Sequence, residues 1–297
     1  MNFTSKNEPF EHLRKVWTSK HRNLQDKIWD KHKESLSWIG RTISPRSLAL
    51  GSLGGLLLLT APQSGSFNTQ IASTQGVLEG VDTNVLLADQ LKDIVPKEVR
   101  PLDKTEEGDI TKTLSQVFGF KVTSELEGIK LNRNYGLIGG EQHLYRYPGD
   151  NLQAHADSSG DWAKYGGSGI APGLGAWGYF APSKLEFTEK DKQKERYYLA
   201  IQTFLAPGFA ENVGKYRDFF KHRKMLIVNP KTGQAVVAVI GDAGPAEFTG
   251  KHLGGSPEVM DVVGLAGGPR KGAVLYFFID DPKDEIPLGP IKIKNFS

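Results

Sequence analysis

Asn229-Pro-Lys-Thr-Gly-Gln-Ala-Val-Val-Ala-Val-Ile-Gly-Asp-Ala-Gly-Pro245 is the stretch from which the fold can be read. Its first residues form a Gly-ended turn between two apolar runs, 224–229 and 234–240, so the spacing predicts a β-hairpin. The second run then feeds an acid, Asp242, into a turn built by Gly244-Pro245. A carboxylate at a strand end can face a cleft while the sheet holds it in place. Working outward, 256–264 predicts a short helix with Ser256 at the N-cap, Pro257 at N1 and Gly264 at its end. Residues 272–279 predict a buried strand, 197–205 another, and 117–122 and 136–138 two short ones. Strand, hairpin, loop, short helix and strand in that order predict a mainly β fold, a small barrel with helical inserts.

The chain has 297 residues, enough for one or two domains. It has no cysteine, which excludes disulfides, thiolate metal sites and cysteine nucleophiles. Residues 1–46 hold 10 Lys/Arg against 5 Asp/Glu, and the remaining residues hold 27 against 29. The larger part therefore has no basic excess, and no nucleic-acid partner is expected, since phosphate contacts need clustered cations. Of 34 glycines, 12 fall in 128–180, which predicts a loop-rich β domain rather than a helical bundle.

The N-terminal part is of a different kind. Residues 1–46 are basic and carry Trp17, Trp29 and Trp38, a composition suited to a cytoplasmic segment or an anionic membrane face. Residues 47–62 carry no charge, and as a helix these 16 residues would reach about 24 Å. Cations precede this segment, and the next one after Arg46 is Lys92. The expectation is a signal anchor or signal peptide, with the C-terminal bulk outside the cytoplasm in the cell envelope, or secreted if the segment is cut. Residues 63–116 read as a tether or stalk, of which 77–116 is a stalk or a loosely packed helical lead-in, and 117–297 as the exported barrel domain, with a core at about 175–280.

The ordered set Asn229-Pro-x-x-Gly233, Asp242-x-Gly244-Pro245, a Ser256-started helix and a Gly272-x-Val274 strand resembles the double-psi β-barrel of rare lipoprotein A, the expansins and the membrane-bound lytic transglycosylase A group. The Gly-Asp-x-Gly turn is similar also to a chitosanase family. The resemblance implies a six-stranded barrel, with Gly175-Ala-Trp-Gly-Tyr-Phe180 as its opening strand. It implies cleavage of a glycosidic bond in a cell-wall polysaccharide, with Asp242 as general acid/base. The chain departs from the pattern at one place: the second acid of the families would fall at Gly254 or Gly255. An inverting hydrolase needs two carboxyls, whereas a lytic transglycosylase works with one acid and the sugar's own hydroxyl.

Candidate partners for Asp242 are Glu247 in the same loop and Glu141 after Gly139-Gly140. The segment Glu141-Gln-His-Leu-Tyr-Arg-Tyr147 is dense in polar and aromatic groups. Tyr145 could stack on a sugar ring, and His143 and Arg146 could bind its hydroxyls or carboxylates. Lys251 and His252 lie in the loop that the resemblance places at the cleft. His155-Ala-Asp157 is the nearest thing to a metal motif, but no His-x-His or Glu-x-x-His accompanies it, so neither metal nor other cofactor is expected. The alternative function is a non-catalytic wall-binding or envelope-scaffold module on the same barrel, which the glycines at the second acid position would allow.

Overall fold

The computed structural model describes residues 82–294. The basic segment, the expected membrane segment at 47–62 and the start of the expected tether lie outside the described residues. Among the described residues, no helix is long and apolar enough to cross a membrane.

The chain enters through α1 (Thr83–Lys92), which Asp82 caps by accepting from the Asn84 amide. Helix α2 (Lys104–Phe118) starts at a reciprocal capping box of Asp103 and Glu106 and ends at Gly119, whose φ of 72° closes it. Strand β1 (Val122–Thr123) and a small hairpin, β2 (Glu125–Leu126) and β3 (Ile129–Lys130), lead to β4 (Tyr135–Gly140). A long excursion follows, with a 3-10 turn Leu152–His155, α3 (Ser159–Tyr165) and α4 (Glu189–Arg196). The chain then forms β5 (Tyr198–Ile201), α5 (Val213–Phe220), β6 (Lys224–Val228) and β7 (Ala235–Ala243). It ends with β8 (Leu253–Gly255), α6 (Pro257–Val262), β9 (Lys271–Ile279) and β10 (Gly289–Pro290).

Six of these strands close on themselves. The neighbours run β9, β4, β8, β5, β7, β6 and back to β9. The β4–β8 and β5–β7 pairs are parallel and the other four are antiparallel. This is a mixed closed barrel, which leaves no free edge within the ring. Period-2 alternation divides its residues between two cores. Met225, Ile227, Val236, Ala238, Ile240, Val274, Tyr276 and Phe278 point inward, joined by Ile138, Leu199, Ile201 and Leu253. Leu226, Val228, Val237, Leu275 and Phe277 point outward and are covered by Leu87, Leu91, Ile110, Leu114 and Phe118 of the two N-terminal helices. Each fully buried side chain of this size contributes roughly 1.5–3 kcal/mol.

Several expectations change. Of the expected stalk or loosely packed helical lead-in at 77–116, the described part holds α1 and most of α2, and both pack firmly, because Leu87/Leu91 and Ile110/Leu114 put apolar side chains one turn apart against the barrel. The expected strand at 117–122 is thereby reduced to β1, since Val117 and Phe118 complete α2. Gly175–Phe180 is not the opening strand; its only ladder contact is an isolated Gly175–Gly178 bridge. The opening barrel strand is β4, so the barrel begins near 135 rather than 175. Strand β5 stops at Ile201, and Thr203–Leu205 turn as a 3-10 helix instead of continuing to 205.

Candidate functional site

The helical coat leaves one side of the barrel to other residues. On β5 the inward side chains are Leu199 and Ile201, so Ala200 points outward. Ala200 pairs with Asp242 on β7 and with Gly254 on β8, and Gly254 pairs with Gly139 on β4. A register shift between Leu199 and Ala200 skips Gly241, and this bulge is what turns Asp242 outward after the inward Ile240. Asp242, Ala200, Gly254 and Gly139 thus form one row across the outer face, and three of the four have little or no side chain.

The missing bulk is filled from β4. A Cβ built on Gly254 would fall onto the Glu141 carboxylate, and one built on Gly139 would lie 2.6 Å from Lys251 Cδ. Glu141 and Lys251 therefore lie flat over two glycines that no larger residue could replace without moving them. Lys251 Nζ is 3.1 Å from Glu141 Oε1 and also donates to the Gly140 carbonyl at 3.4 Å. The acid expected at Gly254 or Gly255 is absent from β8, but Glu141 brings a carboxylate to that place from the neighbouring strand. Two strand spacings separate Gly254 from Asp242, so the two carboxyls stand on the order of 10 Å apart.

Asp242 is half-buried. Its Oδ1 accepts from the amides of Ala176 (2.7 Å) and Ala243 (2.8 Å). Burial raises its pKa above the usual carboxylate value, and the two backbone bonds oppose but do not cancel that rise. The loop that supplies the Ala176 amide is itself fixed by Arg217 of α5. Arg217 donates to the Ala176 carbonyl at 3.2 Å, and its own carbonyl accepts from Trp177 Nε1 at 3.1 Å. Tyr179 (39% exposed) and Phe248 (92% exposed) present aromatic surface, the first on the loop that supplies Ala176 and the second on the loop that follows Asp242. Arg270 lies against Gly140 and donates to Ser168 Oγ at 3.1 Å, a cation the sequence reading did not single out.

The other expected site residues are distributed differently. Glu247 is exposed in the 3-10 turn Glu247–Thr249 and forms no ion pair among the described residues. His252 Nδ1 accepts from the Leu137 amide at 2.9 Å, so its ring closes the β4–β8 ladder, and burial lowers its pKa. Tyr145 is half-buried. His143 and Arg146 do not face the trough: they are 1% and 2% exposed and belong to an internal polar cluster.

That cluster holds the long excursion together. Glu195, fully buried near the end of α4, takes Arg146 Nε at 2.8 Å and the Leu144 amide at 3.2 Å. His143 Nδ1 stands 3.3 Å from its Oε1, and His155 Nδ1 3.2 Å from its Oε2. His155 Nε2 lies 2.8 Å from Asp150 Oδ2, which also accepts from the Arg146 amide at 2.9 Å. Burial works against the charge on Glu195, but the bonds from His143 and His155 outweigh it and hold the group well below the usual range. Burial likewise opposes a charged His155, yet Asp150 and Glu195 raise its pKa. Glu258 is buried beside this cluster with neither oxygen hydrogen-bonded, although Arg196 Nε stands 3.5 Å from its Oε1, and burial raises its pKa.

The geometry defines a class: a closed mixed six-stranded barrel with a small-residue trough outside it, one raised-pKa aspartate, and a lysine-paired glutamate across the trough. No protein-family model, curated protein or solved structure matches the chain.

Proposed function

We propose that this protein is a glycan-cleaving enzyme of the cell envelope, built on a double-psi β-barrel, with Asp242 as the proton-transferring acid. The observation that carries the reading is Glu141, whose carboxylate lies over Gly254 on the same outer face as Asp242. The barrel's two parallel pairs, β4–β8 and β5–β7, support the resemblance on which the polysaccharide reading rests. Asp242 donates its proton to the leaving oxygen as the glycosidic bond breaks, which its raised pKa favours. A carboxyl separation on the order of 10 Å is just beyond the about 6.5–9.5 Å used by inverting glycosidases, and leaves room for a water to give its proton to Glu141 while attacking the anomeric carbon. In the one-acid variant, the sugar's own hydroxyl attacks and Asp242 takes its proton. Glu141 and Lys251, lying over Gly254 and Gly139, offer polar contacts to a sugar, and Tyr179 and Phe248 offer stacking surface. The uncharged segment at 47–62 would hold this domain at the membrane, outside the cytoplasm.

The test is release of soluble sugar from peptidoglycan and chitosan by the full chain. Asp242→Asn is expected to lower the rate by at least about 100-fold. Glu141→Gln then sorts the mechanism: an equal loss points to two-acid hydrolysis, and retained activity with ring-closed product to a transglycosylase. Retention on insoluble wall with no sugar released by any of the proteins would replace the enzyme with the wall-binding module.

A further inference from the structure

We infer that His143, His155 and Glu195 form a divalent-metal site, of the zinc class, that pins the 141–197 excursion onto the barrel. All three residues are buried, and the nitrogen and oxygen atoms they offer lie within 4.8 Å of one another. A tetrahedral ion with bonds of about 2.0 Å keeps neighbouring ligand atoms about 3.3 Å apart. The two His-to-Glu195 separations are of that size, 3.3 Å from His143 to Oε1 and 3.2 Å from His155 to Oε2, so an ion between the rings has one carboxylate oxygen beside each of them. Two imidazoles and a carboxylate, with no sulfur, are a donor set that zinc accepts.

The second observation is His155 itself. Asp150 Oδ2 lies 2.8 Å from its Nε2, which places the ring proton there and leaves a lone pair on Nδ1. That Nδ1 is buried and has no hydrogen-bond partner, yet it points at a carboxylate oxygen 3.2 Å away. A cation between that nitrogen and that oxygen would satisfy both. A carboxylate behind the far nitrogen of a ligand histidine is the usual support for such a ring. Arg146 Nε on Oε2 and the Leu144 amide on Oε1 hold Glu195 in the same supporting sense. Beside His143 and His155 is a cavity of about 10 Å³, also lined by Asp161, Trp162 and Tyr165, at the lower limit for one water. A water there would complete four-coordination. The three-residue set leaves one position to water, but all three ligands are buried and the cavity beside them has no room for a substrate, so its role is structural. It ties three segments together two residues beyond Glu141, and so steadies the carboxylate that the proposed function uses.

Zinc content and thermal unfolding of the full chain test this, after EDTA dialysis and again after zinc is returned. Because His12, His21 and His32 offer adventitious sites, the variants decide. We expect one zinc per chain that survives dialysis against buffer, and a rise in Tm of several degrees when it is restored. His143→Gln and His155→Gln should each lose both effects, and Asp150→Asn should weaken zinc binding by about 10–100-fold. If one histidine variant fails to fold, the other serves, together with the visible spectrum of cobalt bound to the unmodified chain, which should show four-coordination by nitrogen and oxygen. Zinc uptake that is absent, or unchanged by both histidine substitutions, overturns the proposal. The His155 ring would then carry protons on both nitrogens, bridging Asp150 and Glu195 as an ion pair.

Discussion

Asp242 Oδ1 takes two backbone amide bonds, and an asparagine oxygen in the same place can take both. The substitution Asp242→Asn therefore removes a charge without stranding a donor. Because burial raises this pKa in the folded protein, the unfolded chain ionises more readily, and the ionised side chain costs stability once the pH passes the folded value. We expect the variant's Tm to equal or exceed the parent's at pH 7, with the gap opening as pH rises from about 4; a lower Tm at pH 7 would contradict this. His222 works in the opposite sense. Burial, with help from Lys194 and Lys221, lowers its pKa to about 4, and its ring stacks on Phe180 at 5.5 Å. The unfolded chain binds the proton from 6.5 downward, so the stability carried by neutral His222 is complete above that value and drains away between pH 6.5 and about 4. His222→Asn should flatten the stability profile across this window, and asparagine tolerates the position's φ of 54°. Urea unfolding at pH 4.5 and 7.5 measures the difference. At this scale the sequence was readable for Asp242 and Glu141, which stand beside glycines at strand ends. It was not readable for the histidine cluster, whose members come from positions 143, 155 and 195 with no common spacing. Asp157, the neighbour that suggested a motif with His155, turns away to Lys192 and Arg196.

The pairing of β4 with β8 makes a substitution on one strand act on a side chain of the other. Gly254→Ala would push a methyl group into the Glu141 carboxylate and break its 3.1 Å approach to Lys251. Since the side chain can swing aside, stability should change by no more than about 1 kcal/mol. The rate of glycan cleavage should fall by about 100-fold, the cost of misplacing a reacting group by an ångström or so. Unaltered turnover would mean that Glu141 is not part of the chemistry. The strands that could be read in advance were those with long apolar runs, β6, β7 and β9. Strand β8 is Leu253-Gly-Gly255, three residues with one apolar side chain, and no periodicity can show it. The two N-terminal helices could be read only as a stalk or a loosely packed helical lead-in for a related reason. In α1 only Leu87 and Leu91 are buried, and the remaining positions read as polar stalk. The capping pair Asp103 and Glu106 was a usable signal for the start of α2.

For the molecule as a whole, the coat of α1 and α2 decides where the folding unit begins. A chain cut at 117, where the sequence suggested a boundary, would uncover Leu226, Val237, Leu275 and Phe277, all of them fully buried. We expect a fragment covering 82–294 to unfold cooperatively and one covering 117–294 to aggregate or melt without a sharp transition, as calorimetry would show. Within the intact chain, Leu114→Ala should cost about 2–5 kcal/mol, since a fully buried leucine leaves a cavity between two packed layers. The arrangement also has a mechanical side. Gly233, in the turn before β7, is packed so closely on the Asn84 carbonyl of α1 that no side chain would fit. Asp242 is near the other end of that same strand, Ala235–Ala243. Any tension arriving along the backbone ahead of Asp82 is therefore taken up at the hairpin and spread over the ring of strands. The acid, a strand's length further on, keeps its aim whichever way the chain is pulled.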